Sequence, residues 1–348
     1  MHQSEVLNVG HRNAKARVAN SLFVALAISF LPGPALPADG PEAREDLIGR
    51  IKHLEKALGF RHTKNFSHAS DKPMAAYRCY YTGKLELPES YEGLRLQAGT
   101  KDGCSLDPEK YDVFFYPVEA VPFRKTPVTA SLARESTERF LVVIPHEDYH
   151  ESRELRRLPA TLTEAASTLM GFLTAREVAR EKFGAESEVY RNLSREPELF
   201  LRKAEIVNRY YARLGNLYAE VRASELAPSE ALAQKQNLFR EAQQACQAIQ
   251  PNPKSFSKCL AANDNAGLAF DRTYTRYYPL MYDLYKAYQE DLRATHEALK
   301  QALNTRSEAA AVQHLQELTA RAAERALLRQ SLAARASDFL PAKRLPLR

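Results

Sequence analysis

The run Phe140-Leu-Val-Val-Ile-Pro-His-Glu-Asp-Tyr-His150, with Glu164 fourteen residues further on, decides how this chain is read. His146 and His150 stand four apart, a spacing that on a helix stacks two side chains one turn apart on the same face. Both imidazoles can then meet one small cation. Glu147 is turned from them by one residue's rotation, about 100°, which brings its carboxylate beside the cation's water without making it a ligand. A catalytic zinc needs a third protein ligand and an open fourth position. Glu164 is the candidate, because the Leu158-Pro159-Ala160 break lets the next helix fold back across the first. Glu164 also completes a capping-box spacing with Thr161, in which a glutamate merely satisfies a helix start; the histidine pair nearby favours the ligand reading. Thr168, one turn beyond Glu164, is a candidate to hold a ligand histidine by a hydrogen bond.

Working outward, the apolar run 140–144 suits a buried strand or the entry of a helix. Pro145 is placed to stop a strand ladder and to occupy a first helical turn. Helix is expected from His146 to about Arg157, Pro159 breaks it, and a second helix runs from near Thr161 to Lys182 with Gly184 ending it. Upstream, Leu47, Ile48, Ile51, Leu54 and Leu58 share one helical face. Between residues 74 and 123 short tyrosine-, valine- and phenylalanine-rich runs (77–81, 113–116), broken by Gly, Pro and Asp, predict a small sheet. Downstream the stripes are helical: Ile206, Tyr210, Leu214, Leu217 and Val221; Leu284, Tyr288, Leu292 and Leu299; Leu315, Leu318 and Leu327. The expected fold is α+β and mostly α, with a small N-terminal mixed sheet beside the motif helix of a zincin-like fold, and a helical C-terminal half. The chain divides into residues 1–38, 39–185 with the metal motif, and 186–340 completing the cleft.

Residues 1–38 read as a secretory leader: Arg12, Lys15 and Arg17, an uncharged stretch 18–31, then Pro32-Gly33-Pro34 and a small-residue exit with cleavage near Ala38. The apolar part is shorter than the roughly 20 residues a spanning helix needs, and no later segment is apolar enough to span, so the mature protein is expected in the periplasm or secreted. The four cysteines suit an oxidising compartment; the expected pairs are Cys79 with Cys104 and Cys246 with Cys259, with buried free thiols as the alternative. The net charge of +6 is ordinary solubility, not a nucleic-acid footprint, since no basic stripe with interleaved aromatics is present. Oligomeric state stays open.

These residues resemble the gluzincin zinc peptidases, and more narrowly the bacterial putative aminopeptidase family. Beyond the zinc motif, the stretch from Asn265 to Ala269, then Thr273-Tyr274 and Pro279, is similar to the signature that this family carries downstream. Leu217-Tyr218, Lys235 and Phe239 resemble its intervening helical segment. The likeness spans roughly residues 45–290, patchily in the first part. It implies zinc-dependent hydrolysis of a peptide or protein substrate, with His146, His150 and Glu164 as ligands and Glu147 as general base. It further implies that Tyr274 donates to the oxyanion, with core packing among Tyr277, Tyr278 and Tyr282 as the alternative, and that residues 127–132 form an edge strand pairing with the substrate, with an ordinary loop as the alternative. Asn265 orients the site or caps a helix. Two departures stand out: Thr163 where the family commonly has asparagine, and the added negative charge of Asp148 and Glu151 around the motif. A non-catalytic helical interaction or scaffold protein with a structural or vestigial metal site is the rival reading; a fourth protein ligand would favour it.

Overall fold

The computed structural model describes residues 41–121, 125–258 and 263–338. Its elements run α1 (Pro41–Leu58), β1 (Ala76–Gly83), β2 (Arg95–Ala98), β3 (Tyr111–Val118), α2 (Ala130–Arg134), α3 (Thr137–Tyr149), α4 (Ala160–Phe183), α5 (Glu188–Arg222), α6 (Pro228–Gln247), α7 (Asn265–Thr275), α8 (Tyr278–Ala287), α9 (Leu292–Leu303) and α10 (Glu308–Asp338). The fold is α+β and mostly helical, as expected. Residues 1–38, expected to be a leader, and Cys259 lie outside the described residues; the Cys79–Cys104 disulfide is present, and Cys246 is buried.

Helix α4 is the axis of the molecule. Every residue from 160 to 175 is buried, and α1, α3, α5, α7, α8 and α9 all pack on it. A helix stretch buried on every side, polar residues included, has no solvent face to offer, which is why its sequence shows no stripe. One hydrophobic core runs unbroken from Leu47 on α1 to Leu318 on α10, so both halves of the chain bury their faces against each other.

The sheet has the order β2-β1-β3 and is antiparallel throughout, not mixed. Neither connection, residues 84–94 or 99–110, holds the crossover α-helix that usually joins parallel neighbours. Along β3, Asp112, Phe114, Tyr116 and Val118 alternate inward, the period of a half-buried strand. Phe114 and Tyr116 meet Phe270 of α7, whose ring lies 4.8 Å from Phe114, 5.0 Å from Tyr116, 5.3 Å from Tyr80, 5.7 Å from Tyr91 and 5.6 Å from Tyr274. Phe270 joins sheet to helices, so Phe270→Ala is expected to destabilise the protein by about 3–5 kcal/mol in denaturant titration; a loss under about 1 kcal/mol would show that the cluster collapses around the gap.

One open alternative is decided and two local expectations are corrected. The run 140–144 is helix, not strand: Ser136 caps α3, its hydroxyl accepting the Arg139 N–H at 3.2 Å, and a fully buried helix is as continuously apolar as a buried strand. Pro145 therefore lies inside α3 rather than in its first turn, and the helix stops at Tyr149, with a short 3-10 turn at Leu155–Arg157 instead of continuing to Arg157. Residues 127–132 form no edge strand. Thr129 caps the short α2, its hydroxyl accepting from Leu132 N at 3.3 Å, and only Val128 pairs, with Ala69.

Candidate metal centre

Helix α3 delivers His146 one turn before its end and His150 at its C-cap; α4 delivers Glu164 from its second turn. The N-cap of α4 is Pro159, with no side-chain capping bond, and the Thr161 hydroxyl makes no hydrogen bond. The capping-box role for Glu164 is thereby excluded, and its carboxylate turns toward the histidines. His146 Nε2 and His150 Nε2 are 3.1 Å apart, and Glu164 Oε2 is 3.3 Å from the first and 3.1 Å from the second. The three atoms make a nearly equilateral triangle. A point equidistant from its corners lies about 1.8 Å from each, against roughly 2.0–2.2 Å for zinc–nitrogen and zinc–oxygen bonds, so an ion just off the plane is matched by all three. The group consists of these three residues, and nitrogen-plus-carboxylate donors suit zinc.

Close approach of the two helices is what makes the triangle small. Gly171 of α4 faces α3, where an added Cβ would meet Val142 O at 3.0 Å and His146 Cβ at 3.1 Å. A side chain here pushes His146 from Glu164. Gly171→Val is expected to cost about 1–3 kcal/mol through overpacking and to lower metal affinity, measured by chelator competition; unchanged affinity would mean that the helix spacing is not what holds the triangle.

Burial sets the charge states. The His146 imidazole is pushed down to about 4, chiefly because burial disfavours its charged form, with His150 adding to the effect; at neutral pH it carries the lone pair a metal needs. Burial alone would raise Glu164, but the charge of His150 and hydrogen bonds from both histidines hold it down at about 2, so it stays an anion.

Glu147 is fully buried on the same helix. Tyr116 of β3 and Tyr274 of α7 both lie in its field: each phenol is driven well above its usual range, first by burial, then by carboxylates that include Glu147. Tyr274 is placed at the centre, not among its neighbouring tyrosines. Its ring lies 6.4 Å from the His146 ring and close to parallel with it, while Tyr278 and Tyr282 form a separate contact. Thr168 is buried, and its hydroxyl makes no hydrogen bond, so it does not orient a histidine.

Asp148 and Glu151 do not charge the metal site. Asp148 turns to the opposite side of α3 and accepts from Lys52, from Thr63 and, at 3.1 Å, from Asn65 Nδ2; Glu151 pairs outward with Arg61 at 3.0 Å. Residues two apart on a helix do not share a face, so adjacency in sequence misleads here. One residue at the centre had no signal in the sequence: Tyr91, in the loop between β1 and β2, whose hydroxyl donates to Glu164 Oε1 at 3.1 Å.

A family model described as "Putative aminopeptidase" matches residues 97–315. The chain belongs to that family. The match takes in the whole metal group, Glu147 and Tyr274; it begins later and ends later than the span read from the sequence. No curated protein and no solved structure matched the chain.

In this aminopeptidase-family fold the downstream signature has a structural explanation. Asn265 neither caps its helix, a role taken by Asp264, nor touches the metal group. Its amide donates to Lys84 O at 3.1 Å and Glu86 O at 2.9 Å, and its carbonyl oxygen accepts from Tyr218 OH at 2.9 Å. Asp112 of β3 accepts from Asn265 N at 2.9 Å and pairs with Lys235 and, at 3.2 Å, with Lys84. Signature residues from α5, α6 and α7 thus fasten those helices to the sheet, and α7 so held carries Phe270 and Tyr274 to the centre.

Proposed function

We propose that this protein is an exported, zinc-dependent peptidase of the gluzincin type, hydrolysing peptide bonds with His146, His150 and Glu164 as ligands and Glu147 as general base. Family membership points to a peptidase. The observation that carries the metal reading is the convergence of three buried donor atoms, from two helices, into a triangle that fits one small cation.

His146, His150 and Glu164 would hold the zinc, which when bound would supply Lewis-acid polarisation of a carbonyl and a water whose pKa is lowered to about 7. The neutral His146 and the anionic Glu164 supply donors without a competing proton. Glu147, one residue on from His146, takes the proton of the attacking water and passes it to the leaving amine. Tyr274, kept protonated by burial and the surrounding carboxylates, is the candidate donor to the oxygen that gains charge as the carbonyl is attacked. The leader 1–38 and the Cys79–Cys104 disulfide support a periplasmic or secreted location. No described helix is long and apolar enough to cross a membrane.

The test is zinc content together with hydrolysis of an aminoacyl anilide and of an N-terminally blocked peptide, before and after chelation. One zinc per chain, loss of hydrolysis on chelation and recovery on adding zinc are expected; a blocked peptide cut as fast as a free one would make the enzyme an endopeptidase. Absence of zinc binding, or hydrolysis indifferent to chelation, sinks the proposal. One observation favours the rival, a helical interaction protein with a structural metal: all three ligands and Glu147 are at most 2% exposed. Zinc-loaded protein inert toward every peptide offered would decide for it.

A further inference from the structure

Tyr91 opens a 3-10 turn, Tyr91–Gly93, which Ser90 caps by accepting the Glu92 N–H at 3.2 Å. Three hydrogen bonds strap this turn to α4, which carries Glu164, and to α7. The Tyr91 hydroxyl donates to Glu164 Oε1 at 3.1 Å. Its backbone N–H donates to Thr273 Oγ1 on α7 at 2.9 Å. Glu92 Oε2 accepts from Ala160 N, the first residue of α4, at 3.0 Å. A segment some seventy residues upstream in the chain, outside the family match, therefore holds both the start of the helix that carries Glu164 and the carboxylate itself.

The two oxygens of Glu164 have divided roles. Oε2 faces both histidines, at 3.1 and 3.3 Å; Oε1 faces only the phenol among its hydrogen-bond partners. The terminal torsion of a glutamate is broad, so an unrestrained carboxylate can turn and offer both oxygens to an ion. Tyr91 opposes that turn. Its ring is confined between Phe270, 5.7 Å away, and Tyr80, 6.2 Å away, and a buried hydroxyl that gives up its acceptor leaves a donor unsatisfied.

We infer that Tyr91 is a positioning residue that makes Glu164 a one-oxygen metal ligand, holding Oε1 out of the coordination shell and favouring a small ion with few ligands over one that accepts both oxygens. This rests on the metal reading above and adds a selectivity device to it.

The test uses the full chain and four proteins: wild type, Tyr91→Phe, Tyr80→Phe and Thr273→Val. Zinc and manganese affinities are measured by competition with a chromophoric chelator, and the cobalt-substituted forms by visible absorption, which weakens as coordination number rises. Tyr91→Phe keeps the ring and is expected to lower zinc affinity by roughly 10–100-fold, the usual loss when a ligand's hydrogen-bond partner is removed. Manganese is expected to lose less, and the cobalt bands to weaken. Thr273→Val leaves the phenol in place but removes the acceptor of its backbone N–H, so a smaller shift in the same direction is expected, and it carries the test should Tyr91→Phe fold poorly. Tyr80→Phe keeps the ring beside Tyr91 and removes a hydroxyl that does not bond to Glu164, whose phenol donor is Tyr91, and should match wild type. Tyr91→Phe with wild-type affinities and spectrum overturns this inference alone, as does an equal loss in Tyr80→Phe. Wild type that binds neither zinc nor cobalt overturns it together with the metal reading.

Discussion

Glu147→Gln is expected to lower the turnover number for peptide hydrolysis by roughly 10²–10⁴-fold, the contribution of a positioned general base, while the protein keeps its zinc. Glutamine has the shape of glutamate but cannot accept a proton, so the substitution removes the chemistry and leaves the packing. Glu147 is not among the three donors, His146, His150 and Glu164, so no metal bond is lost. The loss should fall on kcat with little change in KM, because the proton transfer belongs to the transition state. Zinc content by elemental analysis and steady-state kinetics read the two halves separately. A variant that retains zinc and also retains more than about a tenth of wild-type turnover would remove Glu147 from the role of base.

Glu164→Ala is expected to weaken zinc binding by more than roughly 100-fold, beyond the range seen when only a ligand's outer hydrogen-bond partner is lost, and to abolish hydrolysis with it. The carboxylate supplies the one negative charge among the three donors, and it is fully buried, so no water-exposed acid can swing in to replace it. The same argument gives a pH limit with a definite sign. His146 is neutral above its depressed value of about 4, and a protonated imidazole has no lone pair for a metal. Where His146 sets the limit, zinc retention persists as pH is lowered from 7 to about 5 and is lost as pH falls through about 4. Equilibrium dialysis across that range checks it. Loss already complete at pH 6, where an imidazole of ordinary pKa takes up its proton, would mean that burial does not protect the ligand.

The hydrophobic pattern and a few spacings made much of this protein legible before any coordinates. A local rule carries far when the interaction it describes is local: His146 and His150 lie on one face because they are four apart, Gly184 ends α4 because a positive φ, 85° here, suits a residue without a side chain, and β3 alternates because one of its faces is buried. Pattern failed where burial is complete. The run 140–144 has no polar face in either period, so strand and helix read alike, and the helix start is decided by Ser136. It failed again where charge was judged by sequence neighbourhood: Asp148 sits between two metal-motif residues yet answers to Lys52, Thr63 and Asn65 across another interface.

What the sequence by itself determined is the identity and order of the donors: two imidazoles one helical turn apart, a carboxylate on the following helix, and a glutamate beside them rotated out of line. Only the tertiary structure decided that the two helices come close enough, over Gly171, for those donors to form a triangle of about 3 Å sides, and that Tyr91 and Tyr274 reach it from two distant segments, the first donating to Glu164 and the second lying beside His146. The physical reason is range. Helical spacing is set by backbone geometry within one turn, whereas distances between segments far apart in the chain follow from how every buried side chain in the core packs at once, and no window of sequence contains that.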